Sequence, residues 1–255
     1  MSGTSSSGSG SARLPPAMGK ADLQIHSNAG DGLDSMEEIL EHVETRTDLD
    51  VIALTDHDAV RPAMAMRELA ARRGARVEVV IGIEVTTRSG HLLALFVDKD
   101  IPMLRPLRET VRLIHECGGL AVVPHPLSYL TFSIGERALR RLARDGERVD
   151  GVETMNPSIA GRVRATRAAR LNRETIRAAE TGSSDAHRAV LVGTAWTEFP
   201  GRTAEDVRRA ILERTTVANG KPWGVRDHLS RVAQQQWRSM VVAPVQKARG
   251  RRWEG

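Results

Sequence analysis

Between about residues 21 and 222, short apolar runs rich in β-branched residues alternate with amphipathic, capped runs, and this alternation limits the fold more than any other feature. The strand-like runs are DLQI (22–25), VIAL (51–54), VEVVIGIEVTT (77–87), HLLALFV (91–97), LAVV (120–123), GVETM (151–155) and AWTEF (195–199), with a further short strand entering GSSDAH (182–187). Helix signals lie between them. Asp34 or Ser35 caps a run in which Met36, Ile39, Leu40 and Val43 share one face, with Glu37 or Glu38 at capping-box spacing. Pro62 opens and Gly74 closes RPAMAMRELAARRG, and Gly118 and Gly119 end a run over 104–117. Ser133 and Glu136 have capping-box spacing ahead of a run that stops at Gly146, residues 160–174 read as helix, and TAEDVRRAILER forms the last helix. Strand-then-helix order predicts an α/β fold with a mostly parallel sheet, either closed as a barrel or open and doubly wound.

The ionisable residues fall at one kind of place in that pattern. His26, Asp56, His57, His125, Asp185 and His187 all follow predicted strands directly, and in parallel α/β architectures the carboxyl ends of strands share one face, where sites are built. Glu84 sits inside an otherwise apolar strand, where a buried carboxylate is costly without a compensating cation, and His91 starts the next strand. His42 faces away from the apolar stripe of its helix, His115 has no evident carboxylate partner, and His228 lies near the C-terminus, so these three are set aside. Cys117 is the only cysteine, which excludes a thiolate cluster and an internal disulfide and points to a reducing, cytoplasmic setting. Imidazole and carboxylate donors suit Zn, Mn or Fe. The chain has no GxxxxGK[ST], GxGxxG or GxSxG, which removes three common enzyme classes.

Charge divides the chain unevenly. Residues 226–255 carry seven Lys or Arg against two acidic residues, which accounts for the whole net charge of +5. The expected organisation is a disordered N-terminal segment over 1–20, an α/β domain over 21–222 and a basic C-terminal tail over 223–255. Trp237 and Trp253 in that tail suit stacking on bases, so nucleic acid is a candidate partner of it. No run of eighteen apolar residues appears, so no membrane partner is expected.

DLQIHSNAGDG (22–32), LTDHD (54–58), VPHP (123–126) and GSSDAH (182–187), with GIEV (82–85) between the second and third, resemble the signatures of the PHP (polymerase and histidinol phosphatase) superfamily, in the same order. The stretch from Asp185 to Pro222 also resembles the C-terminal portion of stand-alone PHP phosphoesterases. The resemblance implies a distorted (β/α)7 barrel and a metal-dependent hydrolysis of phosphate esters of small nucleotides or nucleic-acid ends, by a metal-activated hydroxide. It implies two or three divalent ions: one held by Gln24, His26, Glu84 and Asp185, one by Glu84, His125 and His91, and one by Asp31, His57 and His187. Asp31, His57, Glu84, Asp185 and His187 are then the catalytic set, Asp56 orients a ligand, and Asn156, Arg162 and Arg164 meet substrate phosphates. Gln24 departs from the family's HxH pattern and is a poorer donor than imidazole. It leaves open an intact cluster, a cluster of two metals, or a fold kept for binding nucleic acid or protein alone; histidinol-phosphate phosphatase is the alternative activity.

Overall fold

The computed structural model describes residues 17–224. The first half of the chain runs β1 (Met18–Ile25), α1 (Met36–Arg46), β2 (Val51–Leu54), α2 (Arg61–Arg73), β3 (Glu78–Thr87), β4 (Gly90–Leu95), α3 (Leu107–Glu116) and β5 (Leu120–Val123). The second half runs α4 (Glu136–Arg144), β6 (Gly151–Met155), α5 (Ile159–Arg162), α6 (Ala165–Leu171), β7 (Ala179–Gly182), β8 (Ala195–Pro200), α7 (Ala204–Glu213) and β9 (Val217–Gly220). Local signals account for most boundaries. Ser35 and Glu38 close a capping box on α1, Thr203 and Asp206 close another on α7, and Gly74 ends α2 in the left-handed conformation.

All nine strands form one sheet in the order β7-β6-β5-β4-β3-β2-β1-β8-β9. β1, β2 and β3 pair in parallel, as do β5, β6 and β7, while β4 and β8 run the other way. The sheet curls until β7 meets β8, where Gly182 N donates to Thr197 Oγ1 at 3.0 Å and that hydroxyl donates back to Gly182 O at 2.9 Å. This is the expected distorted α/β barrel, nearly closed.

Strand alternation sorts the apolar side chains into two clusters. Leu23, Ala53, Val80, Leu93, Leu95 and Val122 pack together with Val207, Ala210 and Ile211 of α7, whose first residue is tied to the amino end of β3 by Ala204 N donating to Glu78 Oε2. Ile52, Leu54, Ile81, Ile83 and Val85 face the other way, with α1 and α2 side chains such as Ile39, Leu40 and Met66. In β3, Val80, Gly82 and Glu84 therefore share the inner face, with Glu84 at its carboxyl end.

Five local expectations differ from the structure. β1 starts at Met18, inside the stretch expected to be disordered; residues 1–16 and 225–255, with the basic tail, lie outside the described residues. Trp223 packs against the core and its Nε1 donates to Thr194 Oγ1 at 2.8 Å, so the domain continues past residue 222. Residues 160–174 are not one helix: Arg164 takes a left-handed conformation between α5 and α6, and α6 passes into a π-helical turn over Asn172–Ile176. Ser133 does not cap α4, whose N-cap is Gly135, and His115 does have a carboxylate partner, with Nε2 2.8 Å from Asp150 Oδ2.

Candidate metal centre

Every predicted ligand is delivered to one end of the barrel. His26 and Gln24 come from the end of β1, Asp31 from the loop after it, His57 from the end of β2 and Glu84 from β3. The backbone holds these ends in register: Thr55 N donates to Ile25 O at 2.9 Å, Glu84 N to Thr55 O at 3.1 Å, and His26 N to Ala186 O at 2.9 Å. His91 belongs to the same end because β4 is antiparallel to β3, so its first turn of chain lies beside the last residues of its partner, with Thr86 opposite His91. The loop carrying Asp31 folds tightly onto β1; a Cβ at Gly32 would lie 2.3 Å from His26 O, so only glycine permits that approach. His125 and Asp185 have φ of 31° and 53°, a left-handed conformation that costs such residues energy.

Glu84 is the hub. Its Oε1 lies 2.9 Å from His91 Nδ1 and 3.2 Å from His125 Nε2, and its Oε2 lies 3.1 Å from His26 Nε2 and 3.9 Å from His57 Nε2. Asp31 is a second hub, with Oδ2 3.1 Å from His187 Nε2 and 3.8 Å from His57 Nε2, and Oδ1 3.6 Å from His26 Nδ1. Asp185 Oδ1 is 3.4 Å from His26 Nε2 and 3.8 Å from His187 Nδ1. The His26 and His187 rings stack at 4.3 Å. All of these groups except His57 and His91 are buried or, for Asp185, mostly covered.

The proton inventory of the cluster fits cations. Ser133 Oγ donates to His125 O at 2.7 Å, so at 2.9 Å it accepts from His125 Nδ1–H and leaves Nε2 of the neutral ring a lone pair aimed at Glu84. His187 spends Nδ1–H on Asp185 O at 3.0 Å and aims Nε2 at Asp31. Acceptor thus faces acceptor at both places, and only a proton or a metal ion between them makes the contact favourable. Neither nitrogen of His26 makes a hydrogen bond among the described residues, and neither do His57 Nδ1 and Gln24 Oε1, although all are buried. Three triads bring their ligand atoms within 4.8 Å of one another: His26, Asp31 and His57; His26, Asp185 and His187; and His57, Glu84 and His91. The residues present therefore fit divalent ions.

Without ions the carboxylates and imidazoles hold one another charged. Burial raises the cost of a charged Glu84, yet His91, His57, His125 and His26 outweigh it and keep its pKa well below the usual range. Burial likewise opposes charge on His26, but Asp185, Glu84 and Asp31 hold its pKa well above the ordinary value. Asp31 is lowered against burial by His187, His26 and His57, while His91 and His187 are raised against burial chiefly by Glu84 and Asp31 respectively. His57 is lowered by its own burial.

Around the cluster stand groups that position it. Gln24 Nε2 donates to Glu84 Oε2 at 3.0 Å, so its amide turns its donor end to the hub. Asp56 accepts from Ser27 N at 2.8 Å and Ser27 Oγ at 2.6 Å, fixing the start of the loop that carries Asp31, and burial pushes its pKa up to about 6. Glu153, on the inner face of β6, escaped the sequence reading. Its Oε2 accepts from His125 N at 2.6 Å and from Asn156 Nδ2 at 3.0 Å, and burial, then the Asp185 charge, raises its pKa well above the carboxylate range. The signal that singled out Glu84, an acid within an apolar strand, was present there too. Asn156 is buried and its amide is taken by Glu153 and Ser158, whereas Arg162 and Arg164 are exposed.

A barrel with a His, Asp and Glu cluster at the carboxyl ends of its strands defines a metal-dependent hydrolase class, and the comparisons with known proteins agree. A family model described as PHP-associated matches residues 164–216. The uncharacterized protein MJ1587 of Methanocaldococcus jannaschii is 38% identical over 148 residues, which cover 54% of this chain and 81% of that protein. The phosphoribosyl 1,2-cyclic phosphate 1,2-diphosphodiesterase of Eggerthella lenta is 39% identical over 92 residues, 34% of each chain, so only about a third of that enzyme is matched. In fold, a two-domain Bacteroides vulgatus protein containing a PHP-like metal-dependent phosphoesterase superposes with a TM-score of 0.66 at 21% identity, covering 81% of this chain and 66% of its own. The chain belongs to the PHP superfamily of metal-dependent phosphoesterases.

Proposed function

We propose that the protein hydrolyses phosphate esters of small nucleotides or of nucleic-acid ends. The observation that carries the reading is the convergence of five histidines on Glu84, Asp31 and Asp185, with Nε2 of His125 and of His187 directed at carboxylate oxygens. The similarity to the Eggerthella lenta enzyme, a diphosphodiesterase of phosphoribosyl 1,2-cyclic phosphate, supports hydrolysis of a phosphate ester. Two or three Mn, Zn or Fe ions bound there supply hydroxide at neutral pH and neutralise charge on the phosphoryl oxygens.

The chain's own groups divide the remaining work. His26, Asp31, His57, Glu84, His91, His125, Asp185 and His187 hold the ions, and Gln24 steadies Glu84 while its unpaired Oε1 is a further neutral donor. Ser133 and Glu153 fix the ring and backbone of His125. Arg162 and Arg164, exposed at the break between α5 and α6, would be the cations that meet substrate phosphates, and Asn156 would act through Glu153 instead. We place the catalytic domain in the cytoplasm and the residue 223–255 tail outside the chemistry, as an accessory contact for nucleic acid.

The test is phosphate release by Mn²⁺-loaded protein from nucleoside 3′,5′-bisphosphates, short oligonucleotides and histidinol phosphate, with Asp31→Ala as control. Release from a nucleotide that the control loses is expected. Preference for histidinol phosphate would move the substrate assignment, and no release from any of them would turn the reading to a binding module, with Gln24 the first residue to restore to His.

A further inference from the structure

The chain holds only one Tyr and three Phe, and the Tyr and one Phe lie in a single loop between β5 and α4. Tyr129 is 70% exposed and Phe132 48% exposed, although aromatic side chains usually repay burial more than any others. This loop is tied to the metal centre at both ends. His91 N donates to Phe132 O at 2.9 Å, and the Phe132 ring stands edge-on to the His91 ring at 5.4 Å. Ser133 bridges to His125, and Leu127 N donates to Ile134 O at 3.2 Å, closing the loop's base. Gly90 lets the β3–β4 turn press against it: φ there is +133°, and a Cβ would lie 2.4 Å from Ser133 C and Ile134 N. Opposite, the Arg164 guanidinium lies 5.4 Å from the centre of the Tyr129 ring.

We propose that Tyr129 and Phe132, carried by this one loop, form a stacking subsite for the nucleobase of the substrate, with Arg164 packed on Tyr129. The inference rests on the phosphoesterase reading for what the metal centre does, and adds that the ester carries an aromatic base. An exposed flat ring held by the same backbone that carries two metal ligands is preorganised, so a stacked base keeps its sugar and phosphate near His91 and Glu84. Stacking tolerates every base, so the subsite selects nucleotides over sugar phosphates rather than one base over another.

The experiment compares AMP with ribose 5-phosphate, which share the phosphate and the sugar and differ in the base. Binding to metal-loaded full-length protein is measured by calorimetry, and phosphate release from both is measured in parallel. Wild-type protein is expected to bind AMP at least about tenfold more tightly. That ratio should collapse to within about twofold in Tyr129→Ala and persist in Tyr129→Phe, which keeps the ring. A ratio that Tyr129→Ala leaves intact, or the absence of any AMP preference in the wild type, would overturn the subsite. So would a change of sedimentation in Tyr129→Ala with AMP binding unaltered, which would make the loop a self-association surface. Retained AMP preference with no phosphate release from AMP, nucleoside 3′,5′-bisphosphates or short oligonucleotides would overturn the hydrolytic reading and leave the base subsite standing.

Discussion

Both ends of the barrel are rich in carboxylates, yet they are satisfied in different ways. At the amino ends of the strands, Asp50 accepts from Lys20 N and Arg202 Nη1, Glu78 accepts from Ala204 N, and Asp150 accepts from Ala121 N and meets His115. Each of these has a backbone N–H, and two have a basic partner as well. At the carboxyl ends, Glu84, Asp31 and Asp185 face imidazoles almost exclusively, and several of the ring nitrogens have no hydrogen bond among the described residues. The same residue types thus hold the fold together at one end and leave it in electrostatic debt at the other. The difference marks where cations belong, because an ion with several coordination positions satisfies inward-facing imidazole nitrogens and carboxylate oxygens together, whereas a proton joins only one pair.

The sharpest way to break the comparison is to remove a ligand from the carboxyl end. His187→Ala should abolish phosphate release while leaving the melting temperature near that of the wild type, since His187 joins two loops and contributes no apolar core; full activity would remove the site around Asp31. Glu153→Ala should act one step further out, lowering activity by roughly 10- to 100-fold through the loss of the acceptor that fixes His125, as expected when an outer partner of a metal ligand is lost. Metal affinity measured alongside should fall with it, which a purely structural defect would not produce at constant melting temperature.

Asp150→Ala probes the other end. It should leave turnover within about twofold and cost about 1 kcal/mol, the scale of a lost hydrogen bond. His115 has a pKa raised first by its hydrogen bond to Asp150. A histidine whose folded pKa exceeds its unfolded value stabilises fully below the unfolded pKa and loses that contribution as pH rises through the folded one. The cost of Asp150→Ala, read from denaturation midpoints, should therefore be larger at pH 6 than at pH 9, and the reverse order would contradict the pairing.

What could be read from the chain follows the same division. The strand ends that carry His26, His57, His125, Asp185 and His187 were legible because a parallel α/β order places all such ends on one face, whatever the details of loop geometry. Glu84 was legible as a charge in an apolar strand. The helix starts at Ser35 and Thr203 were legible because their capping partners lie three residues away. Interactions that depend on distant partners were not. Ser133 has the spacing of an N-cap, but its hydroxyl goes to His125, and α4 starts three residues later, at Glu136. His115 finds Asp150, 35 residues on, only because α3 packs beside the entry to β6. β9 is short, ends in glycine and is partly exposed, so it carries no alternating pattern, and Arg164 breaks a run whose composition favours one continuous helix.

Chelator-treated protein titrated with Mn²⁺ by calorimetry at pH 8 and pH 6 should take up at least two ions per chain, and Asp31→Ala should lose at least one of them. Uptake should be weaker at pH 6, because His26, His91 and His187, whose pKa values the carboxylates raise, must give up their protons to bind. Fewer than one ion per chain at saturation, or an unchanged stoichiometry in Asp31→Ala, would contradict the assignment of the carboxyl end as a metal centre.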